Sequence, residues 1–154
     1  MLDEASARTV ATTVGALYHS VHDRMREQVR GVDNGTLNWK PLPLANSVTA
    51  LVVHTVAAER DALRAVRSIP NQRDQEAEFK AEADADALLA LLDQADGELV
   101  ELIAGVTAAD LAEMRPRGDR PPKPGLEWLL SNYGHAREHL AQIELTKQLY
   151  DSRT

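Results

Sequence analysis

The chain has 154 residues, enough for one ordinary domain, and a chain of this size buries about two-thirds of its unfolded surface. Its 44% hydrophobic and 27% charged residues exclude a disordered chain, and its net charge of -7 opposes phosphate backbones and anionic lipid, so neither nucleic acid nor a membrane is an expected partner. With no cysteine there is no disulfide and no thiolate, so any transition-metal site must be built from imidazole and carboxylate.

An aromatic share of 4% leaves the core to Leu, Val and Ala, which suits packed helices better than strands. The start, Met1 to Glu4, lacks the basic residues and apolar run of a signal peptide, and no stretch has the apolar length of a membrane span. A cytoplasmic protein is the expectation.

The first element runs from about Asp3 to Arg30, with Val10, Val14, Leu17, Tyr18, Val21, Met25 and Val29 at helical spacing. Gly31 ends it, and Asp33-Asn34-Gly35 with Trp39-Lys40-Pro41-Leu42-Pro43 forms an irregular connection. Asn46 or Ser47 caps a second helix through Val48, Leu51, Val52, Val56, Leu63 and Val66, which Ile69-Pro70-Asn71 stops. Residues 72–86 are polar and acidic and read as a crossing loop or a solvated helix start. A third helix carries Leu88, Leu92, Ala95, Leu99, Leu102 and Val106, and Gly105 marks its end. Thr107 and Asp110 form a capping pair over a short turn. Arg115 to Pro124, with four prolines and a glycine, is not helical. The last helix, about Gly125 to Tyr150, lines up Leu126, Leu129, Tyr133, Ala136, Leu140 and Ile143. Four long helices without an alternating strand pattern predict an all-α, four-helix bundle in a single domain over 1–154.

Among five histidines, His135 and His139 stand four apart and leave one helix face together, with Cβ atoms roughly 5–6 Å apart. Two imidazoles at that spacing suit one metal ion, although such a pair also arises by chance. On a helical wheel the pair flanks the Leu129/Tyr133/Ala136/Leu140 stripe. His54 falls within the apolar run Val48 to Ala58, where a buried imidazole needs a partner. That partner is either a carbonyl or carboxylate, or a metal shared with the last helix. Together the three predict a His₃ site with an open fourth position. His19 and His22 fall toward the polar side of the first helix and read as solvated surface residues.

Glu59 interrupts the apolar stripe of the second helix. It either orients a ligand histidine or handles a proton beside the metal, or it makes a rim salt bridge with Arg60, Arg64 or Arg137. Trp39, Trp128 and Tyr133 are candidate pocket walls for a small-molecule substrate or cofactor, or plain core.

Several fragments, in order, resemble the DinB-like (YfiT-like) superfamily of metalloenzymes. They are Leu37-Asn38-Trp39-Lys40-Pro41, Asn46-Ser47-Val48, His54, Trp128-Leu129-Leu130, and His135-Ala136-Arg137-Glu138-His139-Leu140-Ala141-Gln142-Ile143. Ala141 stands where many relatives have Gly, a small-for-small change. The resemblance spans nearly the whole chain. It implies a bundle with up-up-down-down connections, a homodimer, and a zinc- or nickel-type divalent ion on His54, His135 and His139. It also implies a thiol-dependent S-transferase or isomerase using mycothiol, bacillithiol or glutathione. Fold alone does not fix the reaction. A non-catalytic, metal-binding or dimerising bundle that binds a small ligand is the alternative. An open site favours the enzyme, because a structural zinc is ordinarily closed by a fourth protein ligand, and neither a cysteine nor a further well-placed histidine is present.

Overall fold

A computed structural model describes residues 2–153; the ends of the expected 1–154 span, Met1 and Thr154, lie outside the described residues. Seven helices and one hairpin follow in order: α1 Glu4–Val29, α2 Asn34–Asn38, α3 Val48–Val66, α4 Gln75–Phe79, α5 Ala85–Ala104, α6 Ala108–Ala112, β1 Met114–Arg117, β2 Arg120–Pro124 and α7 Gly125–Asp151. None of the described helices is long and apolar enough to cross a membrane.

The helix starts are set by short polar side chains. Asp3, Ser47 and Asp84 each accept the backbone N–H three residues on, which satisfies a donor that the first turn leaves orphaned. Thr107 and Asp110 exchange side-chain and backbone bonds in a full capping box. Gly105 ends α5, and Gly31, with φ at +70°, takes the chain away from α1 in a conformation that favours glycine.

The four long helices, α1, α3, α5 and α7, form an all-α bundle in which α1 and α3 each touch both α5 and α7. Val14, Tyr18, Met25, Leu51, Leu63, Leu92, Leu99, Leu129 and Ile143 fill the centre. Paired residues give the directions. Arg24 meets Glu144 and Lys147 meets Gln28, so α1 and α7 run parallel, whereas Arg26 against Asp93 and Gly15 against Ile103 make α5 antiparallel to α1. Arg60 with Glu98 and Arg67 with Leu102 set α3 parallel to α5. In chain order the helices therefore run up, down, down, up, rather than up, up, down, down. The connection that travels the length of the bundle is the one between α3 and α5, and it carries α4 along the side of α3.

Two segments differ from the sequence reading. Residues 72–86 are the crossing connection and largely open to solvent, but they hold α4, whose Glu78 is buried. The proline-rich 115–124 segment forms an antiparallel ribbon, with Arg115 opposite Lys123 and Arg117 opposite Arg120 around Gly118 at φ +58°. In a ribbon of two strands each strand keeps a free edge, so prolines without an N–H are tolerated there. At the start of α7, a Cβ on Gly125 would stand 2.0 Å from the Asp110 carbonyl oxygen, so the close seat of α7 on α6 requires glycine.

Candidate metal centre

The bundle brings α3 and α7 together so that His54, His135 and His139 meet. His135 Nε2 lies 3.1 Å from His54 Nε2 and 3.1 Å from His139 Nε2. Each of the other two rings is turned by a bond at its far nitrogen. His54 Nδ1 stands 2.9 Å from Glu78 Oε2, and His139 Nδ1 stands 2.7 Å from Gln142 Oε1. A hydrogen on Nδ1 donates to each of those oxygens, leaving a lone pair on each inward Nε2. Arg73 Nη2 also lies 3.1 Å from His54 Nδ1, but its hydrogen bond goes to Glu78 Oε2 at 2.7 Å.

This arrangement has a shortage of protons. A proton on His135 Nε2 satisfies one of its two neighbours and leaves the other contact as lone pair against lone pair. A single cation between the rings removes that conflict. Two nitrogens each about 2.0–2.1 Å from one zinc-like ion are about 2.9–3.4 Å apart for angles between square and tetrahedral, and the observed spacings fall in that window. The donor set thus fits a divalent transition metal, with no carboxylate among the inward-facing atoms.

Electrostatics favours the neutral rings that coordination needs. Burial, with the positive charge of His139, His54, Arg117 and Arg120, holds His135 down to a pKa of about 4. Burial also lowers His54; the hydrogen bond to Glu78 opposes this, and the charges of His139 and Arg73 add to it. The ring of Phe79, from α4, stacks on His54 with centroids 4.4 Å apart.

Beside the imidazoles lies a cavity of about 220 Å³, lined by His54, His135, Arg73, Arg117, Arg120 and Trp128, with Asn132 and Gln75 at its wall. Arg117 is buried; its Nε donates to Asp61 Oδ2 at 2.7 Å and its Nη2 to the Ala58 carbonyl at 2.8 Å. Asn132 continues this chain inward, donating to the Tyr18 hydroxyl, which in turn donates to the Leu129 carbonyl. The hairpin supplies Arg117 and Arg120, and α4 with its flank supplies Arg73, Gln75 and Glu78.

A family model described as the DinB superfamily matches residues 17–143, well over half of the chain. The chain belongs to the DinB superfamily. Three solved structures share its fold. A conserved protein from Enterococcus faecalis superposes with a TM-score of 0.74 at 19% identity, covering 90% of this chain and 95% of its own. A DinB-like protein from Bacillus cereus gives 0.71 at 14% identity, covering 87% and 88%. Another from Bacillus subtilis gives 0.70 at 15% identity, covering 88% and 90%. At such identities the likeness is one of fold. No curated protein matches the chain.

Within this DinB-superfamily bundle, other expected site residues lie elsewhere. Trp39 packs edge-on against Tyr150, 5.5 Å between centroids, beneath Arg153, and Tyr133 packs on Tyr18 at 5.9 Å; neither lines the cavity. Trp128 does line it. Glu59 forms no bond to the three histidines. Its Oε2 lies 2.8 Å from Nε2 of His22, and two of its three expected rim partners bond elsewhere, Arg60 to Glu98 and Arg64 to the Pro70 carbonyl.

His22 is accordingly a core residue and not a surface one. The spacing Tyr18, His22, Met25 places it on the apolar stripe of α1, a signal present in the sequence. His19, His22 and Asp96 form a second group of potential ligands. Their atoms are already matched: His22 is held between Glu59 and Asp96, His19 contacts Asp96, and Arg26 contacts the other Asp96 oxygen. Burial pushes the His22 pKa down, but the bonds and charges of Glu59 and Asp96 outweigh it, and the net shift is upward. A ring that holds its protons more tightly is a poor metal ligand, so this group is an ion-pair network. Sequence reading missed Glu78, which orients His54, and the cavity arginines Arg73, Arg117 and Arg120.

Proposed function

We propose that His54, His135 and His139 hold one divalent transition-metal ion, and that the protein is a metal-dependent enzyme which transfers or isomerises an electrophilic small molecule with a low-molecular-weight thiol. The observation that carries this reading is the position of His135 Nε2, 3.1 Å from two other ring nitrogens with a hydrogen available for only one of them. A divalent ion with an open position supplies Lewis acidity, which lowers the pKa of a thiol or water brought to it.

The chain's own residues do the rest. Glu78 and Gln142 fix the ring tautomers of His54 and His139, so that both inward nitrogens carry lone pairs. Arg73 and Arg117 are held rigid by Glu78 and Asp61, and Trp128 with Ala58 offers the small molecule an apolar wall. In a transfer, the thiol sulfur supplies the pair for the new S–C bond, the leaving group departs with the pair of the broken bond, and the thiol proton passes to solvent. The protein has no cysteine, so the thiol arrives from outside.

We further propose a homodimer. Leu145 and Leu149, 54% and 41% exposed on α7, flank a groove with Pro41 and Ala45, and an apolar face of this kind favours burial against a second copy.

The test is a screen of mycothiol, bacillithiol and glutathione against model electrophiles with zinc- and nickel-loaded protein. Thiol consumption that a chelator abolishes and added metal restores supports the enzyme. No consumption with any of the three, in protein that carries metal, favours a non-catalytic bundle.

A further inference from the structure

The cavity beside the histidines carries more positive charge than its own carboxylates neutralise. Arg73 is bonded to Glu78 through both Nε and Nη2, and Arg117 to Asp61. Arg120, on β2, lines the same cavity, and no hydrogen bond or ion pair of its guanidinium occurs among the described residues. Three arginines therefore line the cavity and two of them have carboxylate partners, which leaves the charge of Arg120 without one beside His54 and His135. Asn132 and Gln75 add polar groups to the wall, whereas Trp128 and Ala58 are apolar.

The Trp128 ring is fixed from several sides: its Nε1 donates to the Arg115 carbonyl at 2.8 Å, and Arg117 and Lys123 lie over the ring at 5.3 and 5.4 Å. Lys123 is itself paired with Glu127. The aromatic wall is thus a fixed feature of the small cavity that Arg120 also lines.

We infer that the substrate taken by this cavity is a small organic acid, its carboxylate held by Arg120 and its apolar body lying against Trp128, with its reacting end toward the histidines. The inference rests on the reading of this cavity as the substrate site. A planar guanidinium fork matches a carboxylate, and of the three arginines that line the cavity Arg120 is the one without a carboxylate partner among the described residues. At about 220 Å³ the cavity lies below the usual range for drug-sized ligands, so the acid is small.

Calorimetric titration with benzoate, benzamide, acetate and inorganic phosphate tests this on zinc-loaded protein and on protein stripped of metal. Benzoate binds best, and replacing it by the neutral benzamide or by acetate, which lacks the ring, weakens binding. Arg120→Gln weakens benzoate by at least about fivefold, the loss expected of one charge-assisted contact at a partly open site, and Arg120→Lys recovers part of it. Because Arg120 is exposed and unpaired, these variants fold as the parent does. Metal content measured in the same samples separates the two claims. If the parent takes up no metal, the metal reading fails, while benzoate binding by stripped protein still decides the charge argument. Equal affinity for benzoate and benzamide, no loss in Arg120→Gln, or phosphate bound as tightly as benzoate would overturn the inference.

Discussion

His22 Nε2 and Glu59 Oε2 lie 2.8 Å apart in the middle of the bundle, both side chains almost fully shielded from water. The opposite nitrogen of His22 reaches Asp96 on α5, so one ring ties α1, α3 and α5 together. A buried pair of this kind is costly to break from one side, because the remaining member keeps its desolvation penalty.

His22→Leu therefore destabilises the fold by about 3 kcal/mol or more, read by urea denaturation, since Glu59 is left without a partner. Glu59→Gln costs less, because an amide still bonds to the ring. Neither change alters metal uptake, since neither residue touches the three clustered histidines. A loss of metal in Glu59→Gln would mean that Glu59 acts at the site after all.

The same pair predicts a pH dependence. The folded pKa of His22 stands above its unfolded value near 6.5, so its contribution is complete below about pH 6.5 and is lost as the pH rises through the folded pKa. Denaturation midpoints of the parent should fall between pH 6 and pH 9 by more than those of His22→Gln. Parallel profiles for the two proteins would contradict the assignment.

Glu78→Gln should weaken metal affinity by about 10–100-fold while leaving the helical content unchanged, because the lost carboxylate orients His54 rather than filling the core. Metal competition against a chromophoric chelator reads this directly. Unchanged affinity would remove Glu78 from the site.

Much of this was legible in the sequence, for identifiable reasons. The apolar stripes gave the four long helices, and the four-residue step from His135 to His139, with His54 in its apolar run, marked the three rings that meet. Glu78 escaped because it sits in an acidic stretch, and composition cannot tell a solvated carboxylate from one covered by α3. The hairpin escaped because its prolines erase the alternation that marks a strand, so Arg117 and Arg120 carried no signal. Helix direction is likewise invisible to periodicity, which reports a buried face and not its sense.

Light scattering at micromolar concentration should give twice the 16.9 kDa chain mass, and Leu145→Asp with Leu149→Asp should halve it. The two leucines are exposed, so folding tolerates the change. A parent that is monomeric at these concentrations would refute the dimer.

Element analysis after incubation with zinc or nickel and removal of free ion tests the central claim most directly. The parent should retain about one equivalent per chain, and His135→Ala and His139→Ala, with unchanged circular dichroism, should retain little, because each removes one of three converging nitrogens. Equal metal in the parent and in both variants would contradict the proposed centre.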